Sequence, residues 1–333
     1  MVKDKGLVHL RKQNVKIIGL FKAGRFIFPL LLLIILAILQ PSFLTMSNFV
    51  NILRQSSILF ILAAGQTLVI LTEGIDLSIG SIIGFTACMA GSLVINDGNN
   101  VIGIFLAIIL GMLIGLINGY IISHIRVPAF VTTYGMQILI RGLTIAFMKG
   151  DVFWGFNDSF RFIGAGSIGA IPMPIIIGVL VLIIFYFLLN YSTFGQSIYY
   201  LGNNRNATKV SGFKIRKIET IVYAISGLVA SIGGLLYLSR LNSAEASLGT
   251  GFEMDAIAAV VLGGTSFFGA EGKIENAIIG SITITLLKNA MNLLGISSYW
   301  QPFIIGLLIV VIIANERAFE KLRNLILVRE RVN

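Results

Sequence analysis

Acids are scarce in apolar sequence, so four that interrupt long apolar runs are the first places to look for chemistry. Glu73 and Asp76 lie in "LTEGIDLSIG" (Leu71 to Gly80), between "ILFILAAGQTLVI" and "SIIGFTACMAGSLVI". Glu253 and Asp255 lie in "GFEMDAIAAVVLGGTS" (Gly251 to Ser266). An acid beside a break in an apolar helix can gate a path across a membrane or hold a proton or sodium ion there. It can also cap the next helix. Asp76 or Ser78 would do so by accepting from free backbone N–H groups, with Gly74 supplying unusual dihedrals. The residues leave both uses open.

Other chemistry finds little support. The nearest look-alike of a phosphate-binding loop is "TSFFGAEGKIE", but Phe267 stands where the first glycine belongs and Ile274 replaces the magnesium-binding Ser/Thr. ATP binding by this chain is therefore not expected. There is no H-E-x-x-H, no G-x-S-x-G and no cysteine pair. Cys88 reads as a small core residue. His9 and His124 are both expected on the cytoplasmic side, so neither a metal site nor an enzyme is indicated.

The elements that must position the acids are membrane helices. Of 333 residues 56% are hydrophobic and only 12% charged, with a mean hydropathy of +0.92, which excludes an ordinary soluble domain. Val101 to Ile122 carries no charge and spans about 33 Å as a helix, enough for the hydrocarbon core. Apolar runs give spans near 26–43, 57–73, 77–96, 101–122, 129–148, 175–190, 220–238, 256–266, 274–294 and 300–315, an all-α bundle of about ten crossings. The eighth, short and glycine-rich, reads as a half-helix or a full crossing. Glycines as in "GMLIGLING" (Gly111 to Gly119) predict close helix contact.

Charge orients the bundle. With the N-terminus inside, ten spans place 19 of the 25 Lys and Arg residues on the inner side and four (Arg54, Lys149, Arg161, Arg240) outside, leaving Arg141 and Lys288 within spans. The positive-inside rule favours that topology, and it accounts for the net charge of +10 through membrane lipid or a cytoplasmic partner, without nucleic acid. Arg141 and Lys288 sit near the outer ends of their spans and can snorkel. The domain reading is a basic arm at 1–25, a membrane-spanning domain at 26–316 and a basic tail at 317–333, with both ends cytoplasmic.

Two loops stand out. Tyr191 to Lys217 is the longest inner connection; Asn203 or Asn204 can cap a short helix through "NATKVS" and Gly212 can end it. Its Ala207 and Val210 side, with Arg205 and Lys209 around it, suits either a groove on a partner or lipid headgroups. The outer loop, Lys149 to Pro174, has aromatics with Asp151, Asn157 and Asp158, which suit a carbohydrate, a docking protein or an interfacial aromatic belt. Finally, Gly115–Gly135 and Leu286–Gly306 share an Asn, a break and a proline-led span 171 residues apart. With five spans between them, this predicts an inverted repeat with broken helices.

The stretches "VILTEGIDLSIGSIIG", "VPAFVTTYGMQILIRGL", "FGQSIYYLGNNRNATKVSGFKIRK" and "DAIAAVVLGGTSFFGAEGKI" closely resemble the permease subunits of ribose-type ATP-binding-cassette sugar importers, from about Phe43 to Ala314. The resemblance implies a homodimer of permease copies in the bacterial cytoplasmic membrane. It also implies a tandem-cassette ATPase that uses ATP and Mg, and an extracytoplasmic sugar-binding protein. This chain would bind no cofactor itself. The family's coupling segment falls on Gly202, Asn203, Asn204, Arg205, Ala207, Lys209, Val210, Ser211 and Gly212. Gate or path candidates are Glu73, Asp76, Asn118, Phe130, Glu253, Asp255 and Asn289. Relatives carry ribose, xylose, allose, galactose or a furanone-type sugar, and ribose is the expected cargo. The competing expectation is an ion-coupled secondary transporter using the four acids.

Overall fold

A computed structural model describes residues 29–332, with the backbone alone for 96, 97 and 318–332. The basic arm expected at 1–25 and the first three residues of the first expected span lie outside the described residues. Among the described residues the chain is mostly helical, and six helices are long and apolar enough to cross a membrane. The helices are α1 (Pro29–Leu39), α2 (Met46–Leu71), α3 (Ile79–Asp97), α4 (Asn100–Tyr120), α5 (Ala129–Met148), α6 (Asp158–Ala165), α7 (Met173–Tyr191), α8 (Thr193–Asn203), α9 (Arg205–Val210), α10 (Ile215–Leu241), α11 (Phe252–Leu262), α12 (Ile274–Leu293) and α13 (Trp300–Val332). Two antiparallel pairs of two-residue strands, Phe153–Trp154 with Ser243–Ala244 and Ser167–Ile168 with Ile171–Pro172, are small exceptions to the all-α expectation.

Helices α2 and α10 are the most buried of the six; α4 packs on α10, α7 on α2, α5 on α3 and α13 on α11. The α4–α10 contact explains the glycine stripe. A Cβ on Gly111 would lie 2.5 Å from Gly227 O, one on Gly115 2.2 Å from Tyr223 O, and one on Gly119 2.7 Å from Thr220 Cα. Only bare backbone fits along this seam, and the two helices cross it antiparallel.

Two span boundaries need correction. The first expected span breaks at Gln40, where a 3₁₀ turn (Pro41–Leu44) follows α1, because Pro41 offers no N–H to the helix. Helix α2 then starts at Met46, capped by Thr45 accepting from Asn48 N at 3.3 Å, instead of at 57. Arg54 is therefore inside α2 rather than in an outer turn. The segment looked too polar for a span because its polar side chains find partners. Asn48 pairs with Asn289, Asn51 Oδ1 accepts from Arg240, and Arg54 donates to Ser167 Oγ at 3.1 Å. The expected basic tail at 317–333 has no break at its start, since α13 continues through Val332.

The weak eighth span becomes a descending non-helical segment followed by a half-length helix. Residues 244–249 run along α3: the Gly91, Gly84 and Gly80 positions approach Ala244, Leu248 O and Gly249 O in turn. Helix α11 continues from there until the loop at 263–273 meets the end of α2, where Ala270 N donates to Leu71 O at 3.1 Å. Thus one face of the bundle gathers residues 72–78, 126–128, 192–214 and 263–273. This is the basic face, with Arg126, Arg205, Lys209, Lys214, Arg216, Lys217 and Lys273. The opposite face holds residues 149–172, tied down by Asn100–Asn157 amide bonds of 2.8 and 2.9 Å.

Candidate functional site

At the α2–α3 break the chain turns over at Glu73, which adopts φ +60°. Gly74 is required by contact, since a Cβ there would lie 2.6 Å from Tyr223 Oη. Asp76 is completely buried. Its Oδ1 accepts from Ser78 N (3.0 Å) and Ser78 Oγ (2.6 Å), and its Oδ2 accepts from Ser226 Oγ (2.8 Å). Ser78 Oγ also accepts from Asn118 Nδ2 at 2.9 Å. The Gln66 carboxamide, suitably turned, donates to Asp76 O and accepts from Asp76 N, each at 3.3 Å. Tyr223 Oη and Thr133 Oγ1 both donate to Ile75 O at 3.3 Å. Neither Asp76 nor Ser78 caps α3 as the sequence suggested. Asp76 instead closes a local turn onto Ser78 and ties the break to α4 and α10.

The second acid pair is arranged differently. Glu253 Oε1 accepts from Gln137 Nε2 at 3.0 Å, while its buried Oε2 has no hydrogen-bond partner and would lie 2.0 Å from a Cβ on Gly80. Asp255 forms an ion pair with Lys288. Arg141 donates to Ala246 O (2.7 Å), Leu248 O (2.8 Å) and Gly80 O (3.3 Å), which holds the descending segment against α3. Arg141 and Lys288 therefore turn inward to protein partners rather than snorkelling. Asn289 exchanges amide bonds with Asn48 (2.7 and 3.2 Å) near the opposite face. Phe130 is exposed and stacks on Tyr134, with 5.9 Å between ring centroids.

The structure thus brings Asp76 together with Asn118, and lays Glu253 against the start of α3. Asp255, Asn289 and Phe130 stand apart from these two groups. Ser226, Gln66, Gln137, Glu219 and Tyr223 were not singled out in the sequence. The isolated glutamines in apolar runs were the available signal, because an uncharged amide inside a span needs a buried partner.

On the basic face, Asn204 caps α9 by accepting from Ala207 N at 2.9 Å, and Gly212 follows with φ +87°. Asn203 is the last residue of α8 and does not cap. Arg205 reaches back to pair with Glu219 of α10 through both nitrogens. Ala207, Lys209, Ser211 and Gly212 are exposed, and Val210 is 88% exposed. Gly202 is buried instead, where a Cβ would lie 1.9 Å from Leu71 O. The end of α8 therefore stands on the end of α2, and α9 follows it directly. Glu73 lines a cavity of about 550 Å³ with Arg126, Arg205, Lys209, Glu219 and Tyr223. Partial burial pushes the Glu73 carboxyl up from its ordinary range, and the Arg205 charge pulls it down.

The outer aromatics divide. Phe156 and Phe160 are buried, Trp154 is exposed, and Asn157 caps α6 by accepting from Phe160 N at 2.9 Å. Among the described residues no group of three or more His, Cys, Asp or Glu side chains gathers to hold a metal.

The family described as "Branched-chain amino acid transport system / permease component" matches residues 48–313. The chain is 42% identical over 294 residues to the Ribose import permease protein RbsC of Escherichia coli K12, covering 86% of this chain and 92% of that protein. It is 39% identical over 302 residues to the same-named protein of Haemophilus influenzae (87% and 94% covered) and 38% over 298 residues to that of Bacillus subtilis (89% and 92%). No solved structure matches it significantly. The break-bearing helices, the central acids and α9 all fall within the matched region, and the chain belongs to this family of transport-system permease components.

Proposed function

We propose that the chain is the membrane-spanning permease subunit of an ATP-driven importer that moves a monosaccharide, ribose, delivered by an extracytoplasmic binding protein. The observation that carries the reading is α9, a capped helix on the basic face whose Ala207 and Val210 are free while Arg205 is anchored to Glu219. An exposed apolar edge surrounded by cations suits a groove on a separate ATPase subunit with two cassettes, which would use ATP and Mg. In this reading residues 202–212 form the coupling segment. Closure of the cassettes displaces α9, and the Arg205–Glu219 pair passes the displacement to α10. Along one face of α10, at the spacing of i, i+4 and i+7, Glu219, Tyr223 and Ser226 reach Arg205, Ile75 and Asp76. The α2–α3 break is then the gate element, with Glu73, Asp76 and Asn118 within it and Glu253 beside it. Asp255 and Asn289 hold the surrounding helices, and Phe130 faces the path.

Ten crossings follow when α1, α3, α12 and the α11 segment join the six long apolar helices. The inverted repeat is supported by α5 and α13, which start 171 residues apart at Ala129 and Trp300. It is also supported by α2 and α10, which have 26 and 27 residues. The sparse burial of α5 and α13 suits contact with lipid and with a second permease copy. The positive-inside rule sets the basic face and both termini in the cytoplasm of a bacterium, with the chain multi-pass in the inner membrane. The domains are then the arm at 1–25, the permease at 26–316 and the tail at 317–333.

The test is accumulation of radiolabelled ribose in proteoliposomes with and without the ATPase and binding protein. Accumulation only with all components and ATP upholds the reading. Uptake by this chain alone under an ion gradient rejects it in favour of a secondary transporter.

A further inference from the structure

Beside the Glu73 cavity the basic face holds a second one of about 680 Å³, between the end of α4, α9 and the start of α10. Its charge is of one sign. Arg126, Lys209, Lys214, Arg216 and Lys217 line it, all exposed, and none has an ion-pair partner among the described residues. The sixth cation, Arg205, is already matched by Glu219.

The site is held in shape. The last turn of α4 widens into a π-turn (Ile121–Ile125), and Arg126 follows with φ +68°. A non-glycine residue is costly there and persists only where its surroundings hold it. Ser123 Oγ lies 2.7 Å from His124 Nδ1 and 2.8 Å from Thr220 Oγ1, which fastens this turn to α10. His124 stacks on Tyr120, with 4.6 Å between ring centroids.

Charge repulsion alone would scatter these cations through solvent, yet they converge on one concavity. A phosphate group fits that chemistry. The surroundings select its source. Tyr120 is exposed, and so are Ile117, Leu116 and Leu113 on the preceding turns of α4. An apolar strip of α4 therefore leads up to the cationic cavity, so that a lipid lying on it would bring its headgroup to the cations. We infer that this cavity binds the phosphate headgroup of an anionic phospholipid such as phosphatidylglycerol. The inference requires that the chain spans a membrane and that a subunit docked on α9 leaves this side of the cavity open, and it stands whatever cargo is carried.

The experiment is native mass spectrometry and thermal unfolding of the transporter purified with its natural subunits, stripped of lipid and then supplied with phosphatidylglycerol, phosphatidylcholine or inorganic phosphate. Phosphatidylglycerol should be retained and raise the unfolding temperature, and the other two should not. The triple variant Lys214→Gln/Arg216→Gln/Lys217→Gln should lose more than about tenfold in phosphatidylglycerol retention, while Lys214→Arg/Lys217→Arg keeps it. Should the triple variant prove unstable, Lys209→Gln, at the cavity edge, is expected to reduce retention by itself. Equal retention of both lipids, retention untouched by the glutamine variants, or an equal shift from inorganic phosphate overturns the lipid assignment. Binding by the separated chain but not by the intact transporter also overturns it, because the cavity would then be covered by a subunit.

Discussion

The two acid-bearing segments look alike in sequence and behave differently in the fold. In "TEGIDLS" Asp76 is surrounded by donors, and its two oxygens accept from Ser78 and Ser226. In "GFEMDAIA" Asp255 is matched by the cation Lys288, while Glu253 keeps one oxygen without a partner. In the first segment the Asp76 carboxylate is spent on holding the break. In the second, Asp255 is matched by a cation and Glu253 accepts through Oε1 alone, its Oε2 left without a partner. An acid in an apolar run is therefore not one kind of residue, and its use depends on which donors other helices bring to it.

Four substitutions sharpen or break that contrast. Asp76→Ala should have the largest effect. It leaves the Ser78 and Ser226 donors buried without an acceptor, costing about 4 kcal/mol, visible as loss of a monodisperse peak in detergent size-exclusion chromatography. Lys288→Met isolates the Asp255 carboxylate and should cost about 3 kcal/mol. In thermal unfolding the paired Lys288→Met/Asp255→Leu variant should regain most of that loss, and no recovery would argue against the ion pair as the reason for burial.

Glu219→Gln should change stability by about 1 kcal/mol or less, since its partner Arg205 is half exposed and solvent screens the pair. Its consequence should be functional: ATP hydrolysis by the reconstituted importer persists while sugar accumulation falls. Accumulation at the unaltered rate would remove α10 from the transmission route. The smallest effect on stability is expected for Glu253→Gln, which keeps an acceptor for Gln137 and alters the unpartnered oxygen, within about 1 kcal/mol. A loss as large as that of Asp76→Ala, measured by the same unfolding assay, would make the two segments equivalent.

Much of the scaffold was legible because apolar length and glycine spacing are local properties. Helix α5 occupies the expected 129–148, and the Gly111, Gly115 and Gly119 stripe forms the expected close contact. The start of α2 was misread because Asn48, Asn51 and Arg54 look like a solvated turn until Asn289, Arg240 and Ser167 are brought against them. Helix α9 was visible from "NATKVS" and its flanking Asn204 and Gly212, since capping is a matter of a few neighbouring residues. Its anchor was not, because nothing near Glu219 in the chain indicates that Arg205, fourteen positions earlier, folds back onto it.

By itself the sequence determined that this chain lies in a membrane, where its long helices run, which face is basic and, through four motifs, its kind of transporter. These follow from hydropathy, charge and short-range backbone chemistry, which need no tertiary contact. Only the tertiary structure decided that Asp76 is satisfied and Glu253 is not, that Arg141 and Lys288 turn inward, and that five cations share one cavity. The physical reason is that the worth of a polar group in an apolar surrounding depends on its partner, and the partners of Asp255, Arg141 and Asp76 include residues 33, 105 and 150 positions away in the chain.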